Sequence, residues 1–295
     1  MTTIVEQLGR LREQRRRTVQ SLSRLGEAQL TARVGLDQPG DVRSTLLRLS
    51  EDDDRRCTIL GGIFAALEWR PTDAQRILSS LAASRGYLRA VLVGVNDDQL
   101  DRQPAPDEWG VRQALQHLAN NERRFVADAQ YAVERRGSAQ PLPLERPDSA
   151  RGPGALGPRL SGNLEDVLDS VETVRDNLVA LAAAFTSSEL AAPTTWAGLT
   201  VDVRFLLHRR ATHERQHTVQ LQKTLSAIGC QPSEAAMILG HAEMARGTLE
   251  GMLLGVPDDL VSRDPGDALP TVEQVLSQTE AEERQKVAAV LSAVS

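Results

Sequence analysis

The segment ILSSLAASRGYLRAVLVGVNDD (77–98) is matched, residue under residue, by ILGHAEMARGTLEGMLLGVPDD (238–259). Ile77, Leu78, Arg85, Gly86, Leu88, Gly94, Val95, Asp97 and Asp98 all have identical counterparts. The same spacing lays VRQALQHLANNERRFVA (111–127) over VEQVLSQTEAEERQKVA (272–288), and VRSTLLRLSEDDDRRCT (42–58) reads as a fainter third copy. Self-similarity at a fixed period restricts a chain to folds in which one supersecondary unit is stacked or paired with itself. Here the unit reads as two helices, near 5–65, 73–136 and 234–294.

Apolar residues recur at helical period along most of the chain, with little strand patterning. Ala, Leu, Arg, Glu and Gln are plentiful and aromatics make up only 3 %, which favours helices over strands. The fold class expected is all-α: a central set of long helices over 69–230, with helix pairs at 1–68 and 231–295. Neither outer pair can bury both its faces alone. They are therefore expected to pack together, or onto the centre, as a second, degenerate bundle. The Pro- and Gly-rich stretch 137–163 is long for a connection inside a compact domain and suits a crossover between bundle ends.

Net charge is −6 with acids and bases interspersed, which argues against a nucleic-acid partner, since that needs a basic face. Clusters such as REQRRR and EDDDRR read as solvated helix faces. The two cysteines, Cys57 and Cys230, are too few and too far apart for a disulfide framework. No run of about 20 apolar residues exists to cross a membrane. The opening MTTIVEQLGRLREQRRR has no apolar core followed by a cleavage site, so a cytoplasmic protein without membrane attachment is expected.

The chemistry concentrates in RRATHERQHTVQLQ (209–222). His213 and His217 are four residues apart and share one helix face, so both can bind one cation. Leu206 and Leu221 extend that face inward. The pattern His-Glu-x-x-His also occurs in zinc proteases, where a third ligand follows at fixed spacing or on a later helix. Lys223 stands where the extended motif needs its histidine. Glu234, Glu243 and Glu250 are available later but lie in no recognisable context, so a protease is the least favoured reading. His117, in DEWGVRQALQHLANNERRF, is the better third ligand. His208 is off the stripe and His241 has no partner; both are expected to be structural or exposed. Gln220, one turn beyond His217, is placed to orient a ligand. Glu122 and Glu214 are candidate bases, although Glu214 sits 100° off the histidine stripe and is expected to face solvent.

Trp109, Leu115, His117 and Leu118 on one helix, then His213, His217 and Gln220 on a later one, resemble the DinB-like (YfiT-like) superfamily over about residues 72 to 230. Gly110 departs from the Ser or Thr usual after the tryptophan. The resemblance implies a four-helix bundle with a divalent metal, whether zinc, nickel or iron, held by His117, His213 and His217. It also implies a transferase using a low-molecular-weight thiol, or a metal-assisted hydrolase, acting on a small-molecule substrate. The alternative is a metal-binding structural protein without turnover. Bundles of this kind often pair, so the chain is expected to be a monomer containing its own pseudo-dimer, or a homodimer.

Overall fold

The structure, a computed structural model, describes residues 3–35, 40–147, 157–266 and 269–295. Helices dominate it. In chain order they are α1 (Ile4–Leu22), α2 (Glu27–Leu30), α3 (Val42–Ala66), α4 (Asp73–Leu92), α5 (Val111–Gly137), α6 (Leu164–Ala182), α7 (Ser187–Leu190), α8 (Val203–Ala227), α9 (Glu234–Leu253), α10 (Asp258–Val261) and α11 (Val272–Val294). The helix starts are written in the sequence. Thr3, Asp41, Asn163, Asp202, Ser233 and Thr271 stand in extended backbone, and each side chain accepts the N–H of the third helical residue. Each such cap stabilises by about 1 kcal/mol.

Two short antiparallel ribbons correct the expectation of a strandless chain. β1 (Arg33–Val34) pairs with β2 (Gly40–Asp41), and β3 (Pro193–Trp196) with β4 (Leu199–Asp202). Each ribbon feeds directly into a long helix, α3 or α8. They are too short to show an alternating pattern, which is why the sequence hides them.

The chain divides into two compact units. The first comprises Met1–Pro71, Arg85–Gly94 and Gln231–Ser295. In it α1 and α3 each pack against α9 and α11, closing a four-helix bundle from the two ends of the chain. Leu22, Leu30, Leu46 and Leu239 are among the apolar side chains buried in its core. The close approach of α4 to α9 depends on glycine. A Cβ on Gly86 would lie 2.8 Å from the Glu243 carbonyl oxygen and 2.8 Å from the Gly247 Cα.

The second unit comprises Thr72–Ser84 and Val95–Cys230. α5 packs on both α6 and α8. Leu115 and Leu118 of α5, Val171 and Leu178 of α6, and Leu206 and Leu221 of α8 are buried there. The two leucines extending the His213–His217 stripe therefore face the core, as their spacing requires.

The clusters REQRRR and EDDDRR are not wholly solvated. Arg15, Asp53 and Arg56 are buried, whereas Arg17 and Asp54 of the same runs are exposed. Arg15 binds Asp53 at 3.1 Å and Glu283 at 2.8 Å, and Arg246 binds the same two carboxylates at 3.0 and 2.8 Å. Ions can be buried when each finds opposite charge and hydrogen bonds across the helix interface. A single-sequence reading has no access to that interface.

Candidate metal centre

The triad rests on two helices of the second unit. Gly110 begins α5, and its N–H donates to Gln113 Oε1 at 2.9 Å instead of the helix being capped by a hydroxyl. Glycine is required there: a Cβ would meet the Arg102 carbonyl oxygen at 2.9 Å. His117 follows two turns into α5. On α8, Asp202 caps the start, and His213 and His217 lie one turn apart on the half-buried side of the helix.

The three rings converge through their Nε2 atoms. His213 Nε2 is 3.3 Å from His117 Nε2 and 3.1 Å from His217 Nε2. One ligand atom from each residue lies within 4.8 Å of the others. Two nitrogens bound at about 2.0–2.1 Å to one tetrahedral ion stand about 3.3 Å apart. The spacing and the all-imidazole donor set therefore fit a divalent metal ion.

Neighbouring side chains orient the rings. His217 Nδ1–H donates to Gln220 Oε1 at 2.7 Å, which leaves the Nε2 lone pair facing the centre. Asn121 Nδ2–H donates to the His117 carbonyl oxygen at 3.0 Å and lies 2.8 Å from His117 Nε2, a contact that a metal ion on that nitrogen would displace. Arg210 Nη1–H donates to His213 Nδ1 at 2.9 Å, which leaves the proton of a neutral His213 on Nε2, so an ion would gain this third ligand only if that contact were released. Trp109 walls one side: its ring lies 4.8 Å from that of His117 and stacks 6.0 Å from that of His217, 15° from parallel.

Burial, with the charge of Arg210 and the neighbouring rings added, depresses the basicity of His117 to about 4 and of His213 to about 3. Burial lowers His217 as well, opposed by the Gln220 hydrogen bond. All three are neutral near pH 7, the protonation state a metal ligand needs.

Glu122 and Glu214 are elsewhere engaged. Both are fully buried, which corrects the expectation that Glu214 faces solvent. Arg175 binds Glu122 through Nε and Glu214 through Nη2, the latter at 2.8 Å, and Arg210 lies 3.4 Å from each. His208 and His241 are exposed, as expected. Asn121 and Arg210 were missed by the sequence reading. The i, i+4 spacing from His117 to Asn121 and the i, i+3 spacing from Arg210 to His213 were the available signals.

Part of the connection 137–163, read from the sequence as a crossover between bundle ends, lies outside the described residues. Its described end follows α5: Gln116 Nε2–H reaches the Pro158 carbonyl and Arg112 that of Gly162.

Residues 80–221, which carry all three histidines, match the model of the DinB superfamily. The chain contains a DinB-superfamily domain. No match was found among the curated proteins or the solved structures. The DinB-superfamily domain is helical, as its resemblance implied, and among the described residues no helix is long and apolar enough to cross a membrane.

Proposed function

We propose that the DinB-superfamily domain holds one divalent metal ion on His117, His213 and His217 and uses it in transfer to or from a low-molecular-weight thiol. The convergence of three imidazole rings, their Nε2 atoms 3.1 and 3.3 Å apart, carries this reading. A divalent ion there supplies Lewis acidity that brings the pKa of a bound thiol or water toward neutrality. Gln220 and Arg210 orient two of the rings, and Trp109 walls the site on one side.

Both carboxylates first considered as bases are committed to Arg175 and Arg210, so the nucleophile would be a bound thiol or water whose acidity the ion raises. A thiol held there would lose its proton to solvent rather than to a protein base, so the commitment of Glu122 and Glu214 would not impede that step. The same commitment opposes the zinc-protease reading, in which Glu214 would activate water. Glu234, Glu243 and Glu250, the possible later protease ligands, all belong to the first unit. There Glu234 pairs with Arg43, Glu243 with Arg89, and Glu250 with Arg12 and Arg89.

Metal content by mass spectrometry, on protein purified without a histidine tag, tests the centre. One ion per chain is expected, lost in His117→Ala and in His213→Ala. A metal-free wild type after growth with added zinc, nickel and iron would overturn the reading. The cobalt-substituted protein should then change its visible spectrum on titration with a small thiol; an unchanged spectrum leaves only a structural metal.

A further inference from the structure

The elements α1–α2–β1–β2–α3–α4–α5 recur in the same order as α6–α7–β3–β4–α8–α9–α11. Four matched pairs agree in length, with 19 residues in α1 and α6, 4 in α2 and α7, 25 in α3 and α8 and 20 in α4 and α9, while α5 has 27 and α11 has 23. Backbone details agree too. Val42 N–H donates to the Ala32 carbonyl at 2.9 Å, and Val203 N–H to that of Ala192 at 3.0 Å. Glu68 and Gly229, just past the ends of α3 and α8, both have positive φ, 54° and 77°. Gly86 faces Gly247, its own equivalent. The period is about 160 residues and spans both halves of the chain. It pairs α3 with α8, which replaces the alignment of 42–58 with 111–127.

The buried contacts of Arg15 and Arg175 agree atom for atom. Arg15 donates from Nε and Nη2 to Glu283, from Nη1 to the Ala242 carbonyl and from Nη2 to Asp53. Arg175 donates from the same atoms to Glu122, to the Leu81 carbonyl and to Glu214. Each of these partners is the repeat equivalent of the other. The framework is thus one framework, built twice.

At the metal end the two copies part. The equivalents of His117, His213 and His217 are Gln278, Asp52 and Arg56, and that of Asn121 is Glu282. Arg56 pairs with Glu282 at 2.6 Å and with Asp53 at 3.3 Å. Lys286 pairs with Asp52 at 2.7 Å, and Gln278 donates to Glu282 at 2.7 Å. Arg56 and Lys286 balance Asp52 and Glu282 without a cation. Arg210, which touches His213, is Leu49 in this copy, and Gln220 is Ile59.

We infer that the first unit is a second copy of the same bundle, assembled from the two ends of a tandemly duplicated chain. In it an ion-pair lock has replaced the metal centre, so the protein holds one ion rather than two. The count of one rests on the proposed metal site of the second unit; the equivalence of the two sites does not.

The test is to restore the triad in the full chain by Asp52→His, Arg56→His and Gln278→His, in the wild type and in a His213→Ala background. Two ions per chain are expected in the first case and one in the second, with a cobalt spectrum like that of the wild-type centre. A folded variant that gains no ion overturns the inference. Should the wild type hold none while the restored site holds one, the functional reading fails and the equivalence stands. If the restored variant does not fold, the lock is transplanted instead by His117→Gln, Asn121→Glu, Phe125→Lys, His213→Asp and His217→Arg. That chain should be metal-free and melt within about 5 °C of metal-free wild type; failure to fold overturns the inference.

Discussion

Glu122→Gln separates a framework carboxylate from a catalytic one. The side chain is fully buried and shared between Arg175 and Arg210. Glutamine keeps the shape but removes the charge, leaving Glu214 alone to face the two guanidinium groups. Breaking a buried ion pair by removing one partner costs about 3–5 kcal/mol. Domains of this size lose about 2–4 °C in Tm per kcal/mol, so the melt of the second unit should fall by about 6–20 °C. The first unit supplies the control. Glu283 holds the equivalent position between Arg15 and Arg246, and Glu283→Gln should cost a similar amount there. Thermal unfolding by circular dichroism measures both, and metal analysis below the transition should show one ion in each variant. A Glu122→Gln protein with unchanged Tm that has lost its metal or its thiol response would refute the reasoning. Glu122 would then belong to the chemistry rather than to the scaffold.

Gly86→Ala should destabilise the first unit by about 1–3 kcal/mol, because the added methyl meets backbone that cannot swing aside. Gly9→Ala, with open space around it in α1, should instead stabilise by about 0.5–1 kcal/mol; chemical denaturation reads both. Gly110→Ser should lower stability despite offering a helix cap, since its Cβ falls 2.9 Å from the Arg102 carbonyl. Gln220→Ile, which installs the residue of the first unit, should preserve the fold and weaken metal binding about 10–100-fold in a competitive chelator titration. Burial would raise the Glu283 carboxyl, but Arg15 and Arg246 outweigh it and hold the group well below the usual range. Its stabilisation is therefore complete above the unfolded value of about 4.3 and is lost as pH falls below it. Glu283→Gln should flatten that part of the stability–pH curve.

The triad was legible because its information is local. An i, i+4 pair fixes one helix face, and a single histidine on a second helix completes the set. The long helices were legible for the same reason, through periodicity and caps such as Asp41 and Asp202. The ribbons and the buried charges were not. Arg15 and Arg17 are indistinguishable in REQRRR, and only the arrival of Glu283 from the far end of the chain makes one of them interior. The pairing of α3 with α5 failed on similar grounds. Two helices with apolar residues at the same period align about equally well at several registers. What resolves them is the context that the fold supplies: the ribbon before α3 and the Arg15–Asp53 contact within it.

The electrostatics of the second unit narrow what its centre can receive. Glu122 and Glu214 are answered by Arg175 and Arg210, and Arg210 also reaches the back of His213. Three neutral imidazoles add no negative charge. A divalent ion bound to them would therefore keep its charge uncompensated in a half-buried site, beside a guanidinium. In such surroundings an anionic ligand gains from both charges, while a neutral one gains little. The first unit shows the opposite arrangement, with Asp52 and Glu282 answering Arg56 and Lys286 at the equivalent place. One copy of the framework is closed by its own charges; the other, with an ion bound, would leave a positive centre for an anionic ligand to complete.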